Sequence, residues 1–209
     1  MAEKFQSALC VMATFLILTG CFTTERIIFG IHRPKAENAE SLAAFLDKHK
    51  MNSAENFATD TTGYLTLMNY GDCPEIMVFD KNLNYINYKA LPDAKSPSCN
   101  AGAGVFLSAL NTARTYETST QYNFNTVVSH LRTFDGKKVE PGSIKKNDFI
   151  VLMTWVKWGG NKLFNKHNVD WYNAVKNNKN CSITVLMVNL DLQENWGKEA
   201  IKKYKPNIK

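Results

Sequence analysis

The chain has 209 residues, of which 44% are apolar and 21% charged, with eleven Gly and six Pro. That is enough apolar mass for one globular domain or two small ones, and it excludes collagen-like and broadly disordered classes. The net charge of +6 comes from dispersed basic residues. Its densest group, Lys198, Lys202, Lys203, Lys205 and Lys209, reads as a solvated tail, so no nucleic-acid partner is expected.

In chain order, the first feature is Ala8–Thr19, "ALCVMATFLILT", apolar or small throughout and preceded by a weakly positive start. It is well short of the roughly 20 residues that cross a bilayer as a helix. A short apolar core followed by small residues reads as an export signal over 1–20. Leu18-Thr19-Gly20-Cys21 resembles the lipobox of bacterial lipoproteins. The resemblance implies a diacylglyceryl group on the Cys21 sulfur, cleavage before it, and acylation of the new amine by a fatty acid such as palmitate. Two or more chains anchor a protein stably, where one holds it only reversibly. Membrane lipid is therefore the first expected partner and the bacterial cell envelope the expected location. The plainer alternatives are an ordinary cleaved signal and an uncleaved anchor.

"RIIFGI", 26–31, is a strand candidate closed by Pro34. Asn38 is placed to cap a helix through about Lys50, with Ala39, Leu42, Phe45 and Leu46 on one face. Tyr64–Met68 suggests a short helix ended by Gly71-Asp72. Ile76–Phe79 and Tyr85–Tyr88 read as a β-hairpin turning through Asp80–Asn84, because Asp and Asn side chains bond nearby backbone amides. Val105–Ala113 reads as a helix, 114–125 as a linker or edge strand, and Thr126–Arg132 as a helical turn. Phe149–Trp155 and Ser182–Leu190 are near-continuous apolar strands, the pattern of burial on both faces. Helix 162–177 between them completes a βαβ unit. A last helix is expected over Gln193–Tyr204. The units are then 1–20, 21–113, the linker 114–125, and 126–209.

Two stretches together carry a family resemblance. "FDGKKVEPGSIKKNDFIVLMTWVKWGG", a helix and "ITVLMVNLD" resemble the front half of thioredoxin-like and peroxiredoxin-like proteins, with Asn189 and Asp191 at the strand end. "CPEIMVFDKNLNYI" resembles the back half, with Pro74 as the cis-proline before the hairpin and Cys73 preceding it. The hairpin half comes first here, which implies a permuted domain or a composite of two partial units. The fold class is thus α/β, a thioredoxin-like mixed sheet flanked by helices. With the lipobox, the layout resembles thioredoxin-like lipoproteins of Bacteroidota that lack the redox motif.

The departure from that family is chemical. Active members carry cysteine in the loop after the first apolar strand; here it reads Trp155-Val156-Lys157-Trp158-Gly159-Gly160-Asn161-Lys162. Disulfide exchange needs an attacking thiolate, so the ordinary reductase chemistry is closed at this loop. No CxxC, zinc spacing or phosphate loop occurs, and no metal or cofactor is called for. His32, His49, His130 and His167 lie far apart and form no motif. The first expectation is a non-catalytic binding or assembly module whose groove, lined by Cys73, Pro74, Trp155, Lys157 and Trp158, receives a protein, peptide or glycan. The alternative is a single-cysteine thiol oxidoreductase or peroxidase using Cys73, resolved by Cys99, with Lys157 or the helix dipole lowering the thiol pKa.

Overall fold

The structure, a computed structural model, describes residues 28, 30–68, 76–87, 107, 110 and 115–206. Cys10, Cys21, Cys73, Pro74, Cys99, the export segment, Tyr88 and nearly all of helix 105–113 lie outside the described residues. Among the described residues, nine strands form two sheets: β1 (Ala36–Glu37), β2 (Asn56–Thr59), β3 (Ile76–Asp80), β4 (Tyr85–Ile86), β5 (Thr118–Ser119), β6 (Leu131–Arg132), β7 (Phe149–Trp155), β8 (Ile183–Asn189) and β9 (Leu192–Gln193). The larger sheet runs β5-β4-β3-β7-β8-β2-β6, and β1 pairs with β9 alone. β7, β8 and β2 are parallel neighbours; β3 lies antiparallel to β7, and β6 antiparallel to β2. The fold is mixed α/β, and its sheet draws strands from both sides of 114–125.

Helices cover both faces. Burial of alternate side chains on opposite faces explains why the β7 sequence is apolar at every position but Thr154. Ile150 and Leu152 pack with α2 (Thr61–Met68) and α3 (Phe124–Ser129). Val151, Met153 and Trp155 pack with α1 (Ala39–Lys48), α4 (Asn161–Phe164) and α5 (Asp170–Lys176). A π-helical turn, Asn165–Val169, joins α4 to α5 within the expected helix 162–177. The Asn38 cap forms as expected: its side chain accepts from Ser41 N at 2.9 Å, and Ser41 Oγ accepts from Asn38 N at 3.2 Å. Both first-turn amides thereby gain partners. The hairpin turn also forms as expected, with Asp80 Oδ1 accepting from Asn82 N and Asn84 N at 2.8 and 2.9 Å.

Three expectations need correction, and one strand was not expected at all. The segment 26–31 is not a strand at its described residues: Gly30 sits in a turn at φ +68°. Thr126–Arg132 is not one helical turn; α3 starts earlier, at Phe124, and the chain then enters β6. The last helix does not begin at Gln193, because Leu192–Gln193 is claimed by β1. A 3₁₀ turn follows at Glu194–Trp196, and Gly197 at φ +83° restarts the chain into α6 (Lys198–Tyr204). Finally, Asn56–Thr59 is a full strand between β8 and β6, unexpected from its sequence.

Candidate functional site

The thiol-free loop follows β7 directly. Leu190 N donates to Trp155 O at 2.8 Å, which carries the parallel ladder to the very end of β7. Trp155 is 0% exposed, stacked on Phe45 at a centroid distance of 5.6 Å and edge-on to Phe164 at 5.1 Å. Its indole is core, and it offers no surface to a ligand. Trp158 is half-buried against the opposite cluster, and Lys157 is the charged residue between them. Of the expected groove, the structure thus places Trp155, Lys157 and Trp158 at one end of the sheet; Cys73 and Pro74 lie outside the described residues.

Two further segments close this end. Asp191, 1% exposed just past β8, accepts from Lys157 N at 2.8 Å and from Asn189 Nδ2 at 2.6 Å. Gln193 Nε2 donates to Asn189 Oδ1 at 3.1 Å and to Asp191 O at 2.8 Å. The second segment arrives from the N-terminal side. His32 N donates to Trp158 O at 2.8 Å, and Ala36–Glu37 add as β1 beside β9. Glu37, 4% exposed, receives Lys157 Nζ at 2.7 Å and Ser41 Oγ at 2.5 Å. Lys157 thus pairs with a buried carboxylate, and its ammonium also lies 5.9 Å from the Phe45 ring centroid. Burial pushes the Asp191 carboxyl up to about 6, opposed by the Asn189 and Lys157 hydrogen bonds and reinforced by the Glu37 charge.

Glu37 is the residue that sequence reasoning missed. It lies in "RPKAEN", a polar stretch with no periodicity, and its partner Lys157 is a distant residue in the chain. The other missed cluster is Asp60, His130 and Arg132, at the junction of β2 and β6. His130 Nδ1 lies 3.1 Å from Asp60 Oδ1, and Arg132 Nη2 donates to Asp60 Oδ2 at 2.7 Å. Asp60 Oδ1 also accepts Gly63 N at 2.8 Å, capping α2. A Cβ on Gly63 would sit 2.7 Å from His130 Cβ, so only glycine admits this approach. These contacts spend the Asp60 carboxylate on holding α2 to β6.

The one free thiol among the described residues, Cys181, accepts from Asn178 Nδ2 at 3.2 Å, and burial raises its pKa. A raised thiol pKa makes a poor nucleophile at neutral pH. No three His, Cys, Asp or Glu converge in a metal-holding group among the described residues. None of the described helices is long and apolar enough to cross a membrane. No family model matches the chain, and searches of curated proteins and of solved structures find no match.

Proposed function

We propose that the chain is a lipid-anchored protein of the bacterial envelope in which a thioredoxin-like frame serves binding or assembly rather than thiol chemistry. Strand adjacency supports the frame: β4-β3-β7-β8 sets an antiparallel hairpin beside a parallel βαβ pair, with the hairpin supplied from earlier in the chain. A thioredoxin-like sheet has this adjacency, so a permuted or composite version accounts for the reversed order of the two halves.

One observation carries the functional half. The loop that would present sulfur holds none, and its end of the sheet is closed by Glu37, Asp191 and the backbone of His32. Fold alone conveys no chemistry, so the closed loop outweighs the frame in this reading. The purified chain should neither reduce insulin disulfides nor consume peroxide; turnover that Cys73→Ser abolishes would establish the enzyme instead. For the anchor, Cys21→Ala should release the protein from membranes, and unchanged membrane retention would contradict the lipid assignment.

A further inference from the structure

A different part of the sheet is open. Hydrogen bonds at both ends of β8 define which way its backbone points: Phe149 N donates to Ser182 O at 3.2 Å, and Leu190 N to Trp155 O. The even-numbered residues of β8 therefore turn their N–H and C=O toward β7, and Ile183, Val185 and Met187 turn theirs the other way. On that side β2 pairs only at Met187 and Val188. The chain before β2 would have continued alongside Ile183–Leu186, but the 3₁₀ turn Ser53–Glu55 carries it off the sheet. Ile183 and Val185 thus have outward backbone groups that no described residue bonds. Val185 is 3% exposed and Ile183 half-buried, so the Val185 groups are the ones largely withdrawn from bulk water. Buried backbone groups in folded proteins are nearly always paired.

This gap is the floor of a groove of about 470 Å³. Its two walls come from opposite faces of the sheet. On one stand Val139 and Ile144, packed with the Leu186 side of β8; on the other stands Lys176 of α5. The groove's one carboxylate, Glu55, is already spent: it accepts Tyr172 Oη at 2.6 Å and Lys176 Nζ at 2.5 Å. Lys145, exposed at the rim, has no ion-pair partner among the described residues. The uncompensated charge at this groove is positive.

We propose that this groove binds an extended peptide segment of another protein, which adds as a short strand to the open edge of β8. The backbone of such a segment supplies the N–H and C=O partners that Ile183 and Val185 lack. Its side chains alternate between the two walls, as in any strand. Apolar residues meet Val139 and Ile144, and an acidic residue meets Lys145 at the rim. The groove is separate from the closed thiol-free loop, so this inference stands or falls apart from the absence of redox chemistry.

The test uses the full chain, in detergent where its anchor requires it, and a short fluorescein-labelled peptide of alternating valine and glutamate, read by fluorescence anisotropy. Saturable binding is expected, with loss on N-methylation of alternate peptide amides. Ile183→Pro removes one outward N–H at the first position of a strand, where proline is tolerated. It should weaken binding about three- to tenfold, as for one hydrogen bond. Lys145→Glu, at an exposed position with no folding role, should weaken it up to about fivefold. No binding at the highest soluble peptide concentration would overturn the proposal, as would equal affinity for the N-methylated peptide. Concentration-dependent self-association that shields the same amides would assign the edge to a second copy of the chain and overturn it too.

Discussion

The two ends of β8 have opposite characters. At its C-terminal end, past Asn189, two buried carboxylates are held by one residue from another part of the chain: Asp191 by Lys157 N, and Glu37 by Lys157 Nζ. At its N-terminal half, the sheet stops short and leaves Ile183 and Val185 facing a groove. The sequence resemblance set the expected working end at the first of these, beside the loop after β7. Here it is packed like core, and the unpaired strand edge lies at the other end. A sequence resemblance pointed to one end of the strand; hydrogen-bond accounting points to the other.

The contrast can be broken most severely at Trp155. Truncation to Ala empties the space between Phe45 and Phe164 and should cost about 3–5 kcal/mol in urea denaturation. Trp155→Phe keeps a ring between the same neighbours and should cost clearly less. Equal, small losses for both would mean that this end is not core.

Protons sharpen the picture next. The folded state raises the Asp191 pKa to about 6, above the ordinary carboxylate value near 3.9, so it holds a proton that the unfolded chain releases. Asp191 therefore adds stability as pH falls: the gain begins near pH 7, grows through 6 and is complete below about 4, on the order of 2–3 kcal/mol. Other groups titrate too, so the diagnostic quantity is the difference between wild type and Asp191→Asn. The variant should lack this acid-side gain in thermal unfolding between pH 7.5 and 5. An unchanged pH profile in Asp191→Asn would remove Asp191 from the account of the closed end.

Two lysines give the smallest and cleanest comparison. Lys157→Ala strands Glu37, which is 4% exposed, and should cost about 2 kcal/mol, less than a fully buried pair because the Lys157 side chain is itself 22% exposed. Lys176→Ala breaks a pair whose partners are 42% and 23% exposed and should cost under about 1 kcal/mol. The reverse order would place the tighter polar network at the groove.

Much of the sheet was legible because burial on both faces writes itself as a near-continuous apolar run. Phe149–Trp155 and Ile183–Asn189 have that run, and the Asp80 turn between β3 and β4 carries its own hydrogen-bond chemistry. The short strands were not legible. Asn56–Thr59 is only four residues long, and its strand character comes from β8 and β6 on either side. Gln193 looks like the start of a helix but is held in β9 by β1. At the loop, the missing cysteine was visible at once, whereas its closure depends on Glu37, whose burial is a tertiary fact. Lys157 was expected in the groove, or in the alternative beside a Cys73 thiol; its pairing with Glu37 was not legible. The open edge of β8 was invisible, since it exists only because Ser53–Glu55 turns away.

Residue-resolved amide hydrogen exchange compares the two ends within one strand system and is the most direct measurement. Slow exchange is expected at Lys157 and Leu190, whose amides donate to Asp191 Oδ2 and Trp155 O, with markedly faster exchange at Ile183 and Val185. Fast exchange at Lys157 and Leu190 together with protection at Ile183 and Val185 would contradict a closed loop and an open edge alike.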